Sequence, residues 1–583
     1  MEIPWGSRPK FQLTDRRVVV FLVILGLVLY VNSLGNRMFW DDDDSVLNNK
    51  YVQDWSHIPD YFTKNLIAGT GFVDNYWRPV LLSSFSIDWH IWKSWPVGYH
   101  AVNAGLHILD AILLFLVLLA VFRDRRLAAA TAAIFLAHPL QTEAVTYVAG
   151  RADPLSALFV LFGIWAYLRW RGSGEKDPAV RWYWIAVAMY ALALMTKETA
   201  IVMPAYIFIA DLFRQDEKWT RKGLAARFGS ALWQLVPFLF VAAVYLLLRA
   251  TVLNFQNTFN LYNETNDFTS NFSFRLFTFW RVLAVYAGLL FAPLGLHMER
   301  TVEMATTIFA PDVLFGGFLF CGLLAAAFGL MKRLPAVSFG AFWILIGLAP
   351  TSNLAVPING LIYEHWLYLP LVGVFLPLVW AGLRYATTAR RRLILGTLLA
   401  GFLIFLSVLT IARNPVWRDP IIFYRDVIRY NAGSYRIWNN LGNAYLDAKE
   451  PDRSVECYEK AIAIDPDNSV AYFNLANALR DLGRNNLAFD NYRRAIALQP
   501  KMHFYYNNLA ALFLSLGRPD EARQTLEGYL PVAANKTPTY LSLIKIALSQ
   551  ADRAGAEKYL EEALLADPGD PELRQLRARF SQP

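Results

Sequence analysis

Four aspartates in succession, Asp41 to Asp44, follow the first strongly apolar segment of the chain. Adjacent carboxylates repel one another and resist removal from water, so they cannot enter hydrocarbon and must face water or cations at a membrane edge. Crowding by like charge also raises the pKa of a carboxyl group, which suits a general base. The run is either the solvated end of a membrane segment or part of an active site, and the surrounding elements must decide between the two.

The composition indicates a polytopic membrane protein. Of the 583 residues, 56% are hydrophobic and only 17% are charged, whereas soluble domains carry about 25% charged residues. Cys321 and Cys457, the two cysteines, form no CxxC pattern and predict neither a disulfide framework nor a metal site. The basic residues cluster in short loops between apolar segments, where they orient a membrane protein, so no nucleic-acid partner is expected.

Eleven apolar segments are candidates for membrane crossing. They lie at 18–34, 99–121, 127–148, 154–170, 182–196, 199–213, 229–250, 312–331, 335–352, 366–383 and 393–412. With a cytoplasmic N-terminus, all six basic clusters become cytoplasmic. This topology requires that 275–296, which Arg275 and Arg281 interrupt, is re-entrant or interfacial and does not cross. Whether it crosses is left open by the sequence.

The same topology places the remaining polar segments with the acid run, on the extracytoplasmic side. Two stripes stand out. His100, Asn103, His107 and Asp110 recur at spacings of three and four, and Glu143, Tyr147 and Arg151 recur at spacings of four, so each set predicts one face of a helix. Such stripes serve either hydrogen bonding between helices or a substrate site. Arg151, Asp153 and Lys197 are predicted at the depth of the acid run, which favours a functional role for them.

The ordered motifs of the chain resemble a known family. They are Trp40-Asp41-Asp42 with Asn48-Asn49, Tyr76-Trp77-Arg78-Pro79, Gly98-Tyr99-His100, His138-Pro139 to Val145, Gly150-Arg151-Ala152-Asp153, Lys197-Glu198, and Glu364-His365-Trp366 to Pro370. This set is similar to the transmembrane and tetratricopeptide-repeat O-mannosyltransferases, membrane glycosyltransferases of the C superfamily, in a bacterial form. The chain departs from the family pattern in having His365-Trp366 where Arg-Tyr is usual, and four acids where one pair is usual.

The resemblance implies transfer of a sugar, mannose or a related hexose, from a polyprenyl phosphate to an acceptor hydroxyl on the non-cytoplasmic face, with inversion. Asp42 or Asp41 is then the expected base, and cations stabilise the leaving phosphate. The predicted donor and substrate residues are Arg78, His100, His138, Glu143, Arg151, Asp153, Lys197, Glu198, Glu364 and His365. No cofactor is expected, although a divalent metal at Asp41 and Asp42 is possible in this superfamily.

A repeat of 34 residues begins at Tyr435, Ser469, His503 and Thr537. Small residues at its twentieth position and a closing proline are typical of tetratricopeptide repeats, each a pair of antiparallel helices. The predicted fold is therefore all-α: a polytopic bundle of about 11 spans at 1–412, of the C-superfamily glycosyltransferase type, and an α-solenoid at 435–583. A linker is expected at 413–434, an acidic extracytoplasmic loop at 35–98 and a second loop at 251–311.

Asparagines recur on the first helix of successive repeats, near the face that usually lines the groove. The residues predicted to bind an acceptor peptide are Asn439, Asn443, Asn474, Asn477 and Asn508. Solvated polar surface is the alternative. The predicted function is protein O-glycosylation at a bacterial inner membrane, with the acids and the repeats in the periplasm. The alternatives are a lipid or glycan acceptor, or a non-enzymatic scaffold or transporter.

Overall fold

The computed structural model describes residues 13–172, 179–214, 221–255, 266–358 and 360–580, and part of the predicted loop 251–311 lies outside these ranges. The chain divides into two compact units, Met1–Ile422 and Phe423–Pro583. Within the described ranges the regular structure is helical, without strands. The predicted all-α class is confirmed.

The first unit is a bundle of apolar helices. Its helices of ten residues or more are α1 Leu13–Tyr30, α2 Pro79–Trp92, α3 Pro96–Phe122, α4 Arg125–Ala137, α5 Ala152–Arg171, α6 Val180–Leu194, α7 Met203–Leu212, α8 Arg221–Ala250, α9 Phe272–Phe291, α10 Pro311–Gly329, α11 Pro335–Leu348, α12 Val372–Tyr385 and α13 Ala389–Arg413. Among the described residues, six helical segments are long and apolar enough to cross a membrane and three more are shorter apolar helices. The composition of these helices indicates a multi-pass membrane protein.

The predicted span 127–148 is wrong as a single helix. Helix α4 ends at Ala137, because Pro139 cannot donate to the preceding turn. The chain continues as the short helical segments Pro139–Gln141 and Thr142–Thr146, and then Tyr147 is extended. Glu143, Tyr147 and Arg151 therefore do not share one helical face.

Of the stretch 275–296, predicted to be re-entrant or interfacial, residues 275–291 lie in one unbroken helix, α9, and 292–296 follow its end. This helix is among the six that are long and apolar enough to cross. Its Arg281 is neutralised by Asp312 at the start of α10, at 2.6 Å. Length and composition alone therefore permit α9 to cross, and the predicted orientation of the segments after it remains a prediction.

Helices α11 and α12 cross at a pair of glycines. A Cβ atom built on Gly340 would lie 2.4 Å from the carbonyl oxygen of Gly373, and one built on Gly373 would lie 2.4 Å from that of Gly340. Real Cβ atoms do not approach so closely, so both positions require glycine. The segment Glu364–Leu367, which carries several predicted site residues, lies a few residues before α12.

The second unit is an array of helix pairs. Helix α14, Pro420–Tyr430, contains the boundary between the units, and the helices that follow are α15 Tyr435–Asp447, α16 Pro451–Ile464, α17 Ser469–Asp481, α18 Asn485–Leu498, α19 His503–Ser515, α20 Pro519–Tyr529, α21 Thr537–Ser549, α22 Arg553–Ala566 and α23 Pro571–Phe580. The predicted small residues Ser454, Ala488, Ala522 and Ala556 are all fully buried. They allow the paired helices to approach closely, and the predicted repeat architecture is confirmed.

Candidate active site

Two neighbouring aspartates of the acid run have opposite environments. Asp41 is exposed, whereas Asp42 is 1% exposed. The Asp42 carboxylate accepts hydrogen bonds from the backbone N–H groups of Ala149 at 2.7 Å and Phe39 at 3.2 Å. Trp40, which precedes both aspartates, has a φ of 64°, a strained conformation for a bulky residue. Asp42 therefore anchors the loop, and Asp41 lies at its surface.

Burial affects the pKa of Asp42 more than the neighbouring like charges do. Burial raises the pKa of Asp42 well above its ordinary value; the two N–H donors oppose this shift, and the charges of Asp41 and Asp43 add to it. The sequence predicted the direction from like charge alone. The backbone N–H of Asp41 donates to the hydroxyl of Tyr147 at 2.9 Å, and the Tyr147 ring stacks on Trp417 at 5.0 Å. The acid loop is thus bound to the segment that contains Tyr147 and Ala149.

A cavity open to solvent brings three predicted residues together. Asp153, Lys197 and His365 line it, together with Tyr368 and an otherwise mainly apolar wall. Lys197 Nζ lies 2.6 Å from Asp153 Oδ1. The lysine charge is therefore balanced, and an anion entering the cavity would compete with Asp153 for it.

A second ion pair lies next to the first in sequence. Arg78 binds Glu198 through two hydrogen bonds, of 2.6 Å and 3.1 Å. Burial, the largest single influence, raises the pKa of Glu198, but the charge and hydrogen bonds of Arg78, a backbone hydrogen bond and the charge of Lys197 together lower it to about 2. The guanidinium also lies 4.4 Å from the ring centroid of Tyr76. Burial raises the pKa of the Tyr76 hydroxyl, on which the charges of Arg78, Glu198, Asp74 and Asp41 all act. The pKa of the Tyr76 hydroxyl therefore depends both on the acid run and on the Arg78–Glu198 ion pair.

The segment Glu364–Leu367 contributes two coupled pairs. His365 Nδ1 lies 2.6 Å from Glu143 Oε1. Glu364 Oε1 accepts from the backbone N–H of His297 and from Arg300, both at 2.9 Å. Burial and the nearby charge of Glu143 raise the pKa of Glu364 to about 7, against the opposing effect of Arg300. Sequence reasoning missed Arg300 as a partner, although it placed the polar segment containing it on the same side.

Arg151 lies away from the cavity wall. It is fully buried, with its guanidinium paired to Asp88 at 2.5 Å and donating to Asn103 Oδ1 at 2.7 Å. It also donates to the carbonyl of Tyr99. These contacts join α2, α3 and the start of α5, so Arg151 fixes helix packing in this structure. Asp88 is the single acidic residue of α2, which was the available signal for this partner, and it was missed.

The polar stripe on α3 is confirmed as one buried face. His100 bonds to the carbonyl of Asn36, Asn103 donates to the carbonyl of Tyr147, and His107 and Asp110 both contact Tyr368. His138 is also buried and bonds to the carbonyl of Leu290. Apart from Leu290 on α9, these partners lie in segments between helices, so the stripe fixes those segments against α3.

The repeat asparagines divide into two kinds. Asn443 and Asn477 accept hydrogen bonds from Tyr458 and Tyr492 of the second helix of the same repeat, at 2.6 Å and 2.5 Å. Asn474 donates to Asn439 of the preceding repeat at 3.0 Å, and Asn508 donates to the carbonyl of Phe504. None of the five is buried. Their amides therefore remain accessible, and acceptor binding remains a prediction.

Among the described residues, no group of three or more His, Cys, Asp or Glu side chains could hold a metal ion. The side chains present at the cavity are instead suited to an anion, since Lys197 and His365 lie in one wall. The aromatic and aliphatic remainder of that wall suits an apolar group attached to the anion.

Comparison with known proteins agrees with the motif reading. Tetratricopeptide-repeat family models match residues 435–468 and 457–489. The chain is 25% identical over 481 residues to the human protein O-mannosyl-transferase TMTC3, covering 77% of this chain and 52% of the relative. It is 32% identical over 207 residues to the Drosophila melanogaster protein O-mannosyl-transferase Tmtc2, covering 33% of this chain and 21% of the relative. The predicted resemblance to these transferases is confirmed, and the chain spans about half the length of the first of them.

Among solved structures, ArnT from Cupriavidus metallidurans bound to undecaprenyl phosphate aligns with a TM-score of 0.40 and 16% identity. The alignment covers 82% of this chain and 79% of that one.

Proposed function

We propose that this chain is a membrane glycosyltransferase that moves a hexose, mannose or a close relative, from a polyprenyl phosphate to Ser or Thr hydroxyls of proteins. Two findings support the proposal: the similarity to protein O-mannosyl-transferases over 77% of the chain, and the cavity. The observation that carries it is the joint presence of Lys197, Asp153 and His365 in one largely apolar wall. A lipid-linked phosphate needs both cations and an apolar surface.

The donor phosphate would bind by exchange of partners. Lys197 Nζ lies 2.6 Å from Asp153 Oδ1, so an arriving phosphate would compete with Asp153 for the lysine, and the displaced Asp153 would have to take up a proton or contact water. His365 also lines the cavity, and Arg78 is paired with Glu198, the sequence neighbour of Lys197. These cations would stabilise the phosphate as it departs from the sugar.

In this mechanism Asp41 accepts the acceptor proton. The acceptor oxygen attacks the anomeric carbon, the bond from that carbon to the phosphate oxygen breaks, and the proton of the hydroxyl passes to the Asp41 carboxylate. The polyprenyl phosphate leaves with the electron pair, and the configuration inverts. Asp41 is favoured because it is exposed, whereas Asp42 is buried and receives two backbone N–H groups. Asp42 is then the positioning residue.

The repeat unit would bind a segment of the acceptor protein. Its accessible amides at Asn439, Asn443 and Asn477 can pair with an extended peptide backbone. We place the reaction on the periplasmic face of a bacterial inner membrane and expect no metal requirement, so a chelator should leave transfer unchanged.

The test is intact-mass comparison of extracytoplasmic proteins from cells that carry wild-type or Asp41→Asn protein as their sole copy. The expected result is loss of a hexose increment from specific proteins at equal expression of the enzyme. Asp54→Asn is the matched control, since Asp54 lies in the same loop and caps the turn at Ser56, which Asn also does. Unchanged protein masses in Asp41→Asn cells contradict the proposal, and a hexose lost from lipids or glycans alone reassigns the acceptor.

A further inference from the structure

Three side chains in the interior of the first unit form a continuous hydrogen-bonded chain. Tyr368 Oη lies 2.7 Å from His107 Nδ1 and 2.7 Å from Asp110 Oδ2. His107 and Asp110 are fully buried on α3, and Tyr368 is 3% exposed and lines the cavity. The chain thus connects the cavity wall to a membrane helix.

The contact of His107 Nε2 determines the position of one hydrogen on the ring. His107 Nε2 is 3.3 Å from the carbonyl oxygen of Leu136. A carbonyl oxygen can only accept, so Nε2 carries a hydrogen whatever the charge of the ring. The protonation of His107 is therefore decided at Nδ1, which faces Tyr368.

Two arrangements satisfy every contact. In the first, Nδ1–H of a cationic His107 donates to Tyr368 Oη, and the Tyr368 hydroxyl donates to an ionised Asp110. In the second, a protonated Asp110 donates to Tyr368 Oη, and the Tyr368 hydroxyl donates to Nδ1 of a neutral His107. Tyr368 has one hydrogen, so a neutral histidine beside an ionised aspartate leaves two acceptors competing for it.

The surroundings oppose any net charge. The His107 ring packs on the rings of Tyr30 and Phe135 at centroid distances of 5.4 Å and 5.1 Å. Asp110 Oδ1 has no hydrogen-bond partner among the described atoms. Tyr368 contacts the other oxygen of this carboxyl group, Oδ2. Apart from Asp110, the groups that act electrostatically on Tyr368 are the phenol of Tyr30 and the carboxylate of Asp153 in the cavity. An unbalanced charge in such a site is costly, whereas both arrangements above are neutral overall.

We propose that His107, Tyr368 and Asp110 share a single proton and that this neutral chain holds the cavity wall against α3. The two arrangements interconvert when the hydrogen at Nδ1 moves to Tyr368 Oη as the phenolic hydrogen moves to Asp110 Oδ2. No proton enters or leaves. Because Tyr368 lies three residues after His365, His107 and Asp110 act as positioning residues for the site of the proposed function. The proton count itself does not depend on that function.

The test counts protons on the purified full-length chain. Nitrogen-15 NMR of histidine-labelled protein reads the charge of the His107 ring, assigned with His107→Gln, and infrared spectroscopy reads the carbonyl band of a protonated Asp110, assigned with Asp110→Asn. Over the pH range in which the protein stays folded, we expect His107 and Asp110 together to hold one proton more than a neutral His107 and an ionised Asp110 would hold. Both groups protonated, or neither, overturns the inference.

Two variants sharpen the result. Asp110→Asn should stay folded with His107 neutral, because the amide can donate to Tyr368 as the protonated acid does. Tyr368→Phe should uncouple the pair, so that His107 and Asp110 titrate separately. Tyr206→Phe is the matched control, since Tyr206 lines the same cavity but bonds to the carbonyl of Trp343, and it should leave the proton count unchanged.

The outcomes separate this inference from the proposed function. If the proton count is one and transfer is absent from the wild-type chain, the proposed function fails and this inference stands. If transfer proceeds while the pair carries two protons or none, the inference fails and the proposed function stands.

Discussion

The ion pairs of the two units differ in how far they are buried. In the first unit, Arg151 with Asp88, Lys197 with Asp153 and Glu364 with Arg300 are ion pairs in which at least one partner is buried. In the second unit, ion pairs such as Arg553 with Glu557 join exposed side chains. Removing one member of a buried pair strands a charge without solvent, whereas an exposed partner is rehydrated.

This contrast explains why the same residue types carry different information in the two halves. In an apolar bundle every ionisable group needs a partner, so each one marks a fixed contact or a site. In the repeat unit the 34-residue period and its small residues determine the structure, and most charges contribute little. The variants below test the contrast, from the largest expected effect to the smallest.

Replacing Arg151 should have the largest effect. Arg151→Met strands Asp88 and removes the donors to Asn103 and Tyr99, so folding should lose about 3–5 kcal/mol. Thermal unfolding and yield in detergent measure it. The double variant Arg151→Met with Asp88→Leu should recover much of the loss; if it is as unstable as the single variant, the stranded charge is not the cause.

Lys197→Ala should lower transfer about 100- to 1,000-fold while the protein remains folded, because the phosphate loses its cavity cation. Single-turnover assays with a polyprenyl-phosphate hexose measure this effect. Asp153 would be stranded as well, so Lys197→Ala with Asp153→Asn is needed to separate stability from catalysis. Full activity in that double variant would remove Lys197 from the mechanism.

Glu364 should make stability depend on pH. Its pKa is raised from 4.5 to about 7, mainly by burial, so the folded state binds this proton more tightly than the unfolded state. The stabilisation is complete below about pH 4.5 and is lost as the pH rises through about 7. One pKa unit corresponds to about 1.4 kcal/mol, so the expected loss is a few kcal/mol.

Glu364→Gln should flatten this dependence between pH 5 and 8 in calorimetry of the detergent-solubilised chain. Glu521→Gln in the repeat unit serves as the comparison variant, because its partner Arg518 is exposed. An unchanged slope in Glu364→Gln would show that another group carries the pH dependence.

Asn477→Ala should destabilise the repeat unit by about 1 kcal/mol, because the Tyr492 hydroxyl loses the amide as its acceptor but Asn477 is not buried. Denaturant unfolding of the full chain, followed by a probe in the second unit, reads this change. Asn508→Ala, which removes a bond to its own helix, should cost less. A loss of several kcal/mol in either variant would contradict the contrast between the units.

Arg553→Ala should have the smallest effect, within about 0.5 kcal/mol, because Arg553 and Glu557 form an exposed pair four residues apart on one helix. The same unfolding assay applies. A larger loss would point to the contact of Arg553 with the carbonyl of Phe580.

Much of the fold was predictable because its signals are local. Apolar length gives the membrane helices, and the buried residues Ser454, Ala488, Ala522 and Ala556 follow directly from the period. The break at Pro139 was missed because hydropathy does not register a lost backbone donor, although His138, Gln141 and Glu143 interrupt the apolar pattern of 127–148.

The candidate site was predictable as residue types but not as pairs. Sequence reasoning grouped Asp153, Lys197 and His365, which line one cavity, but it also included Arg151, whose partner Asp88 lies 63 residues away in the chain. Like charge predicted the raised pKa of Asp42, while its largest cause, burial, depends on the fold around Phe39 and Ala149. Which side chains pair across distant segments depends on the tertiary structure, and the spacing of residues in the sequence does not predict it.

The glycine crossing of α11 and α12 makes the cavity wall sensitive to a change of a single carbon atom. With 2.4 Å available at Gly340 and at Gly373, an alanine at either position would force the two helix axes apart. The segment that contains Glu364 and His365 leads into α12, and His365 lines the cavity. Moving α12 away from α11 would therefore also move this part of the cavity lining. A substitution at either glycine would therefore change the geometry of the candidate site without altering the identity of any charged residue.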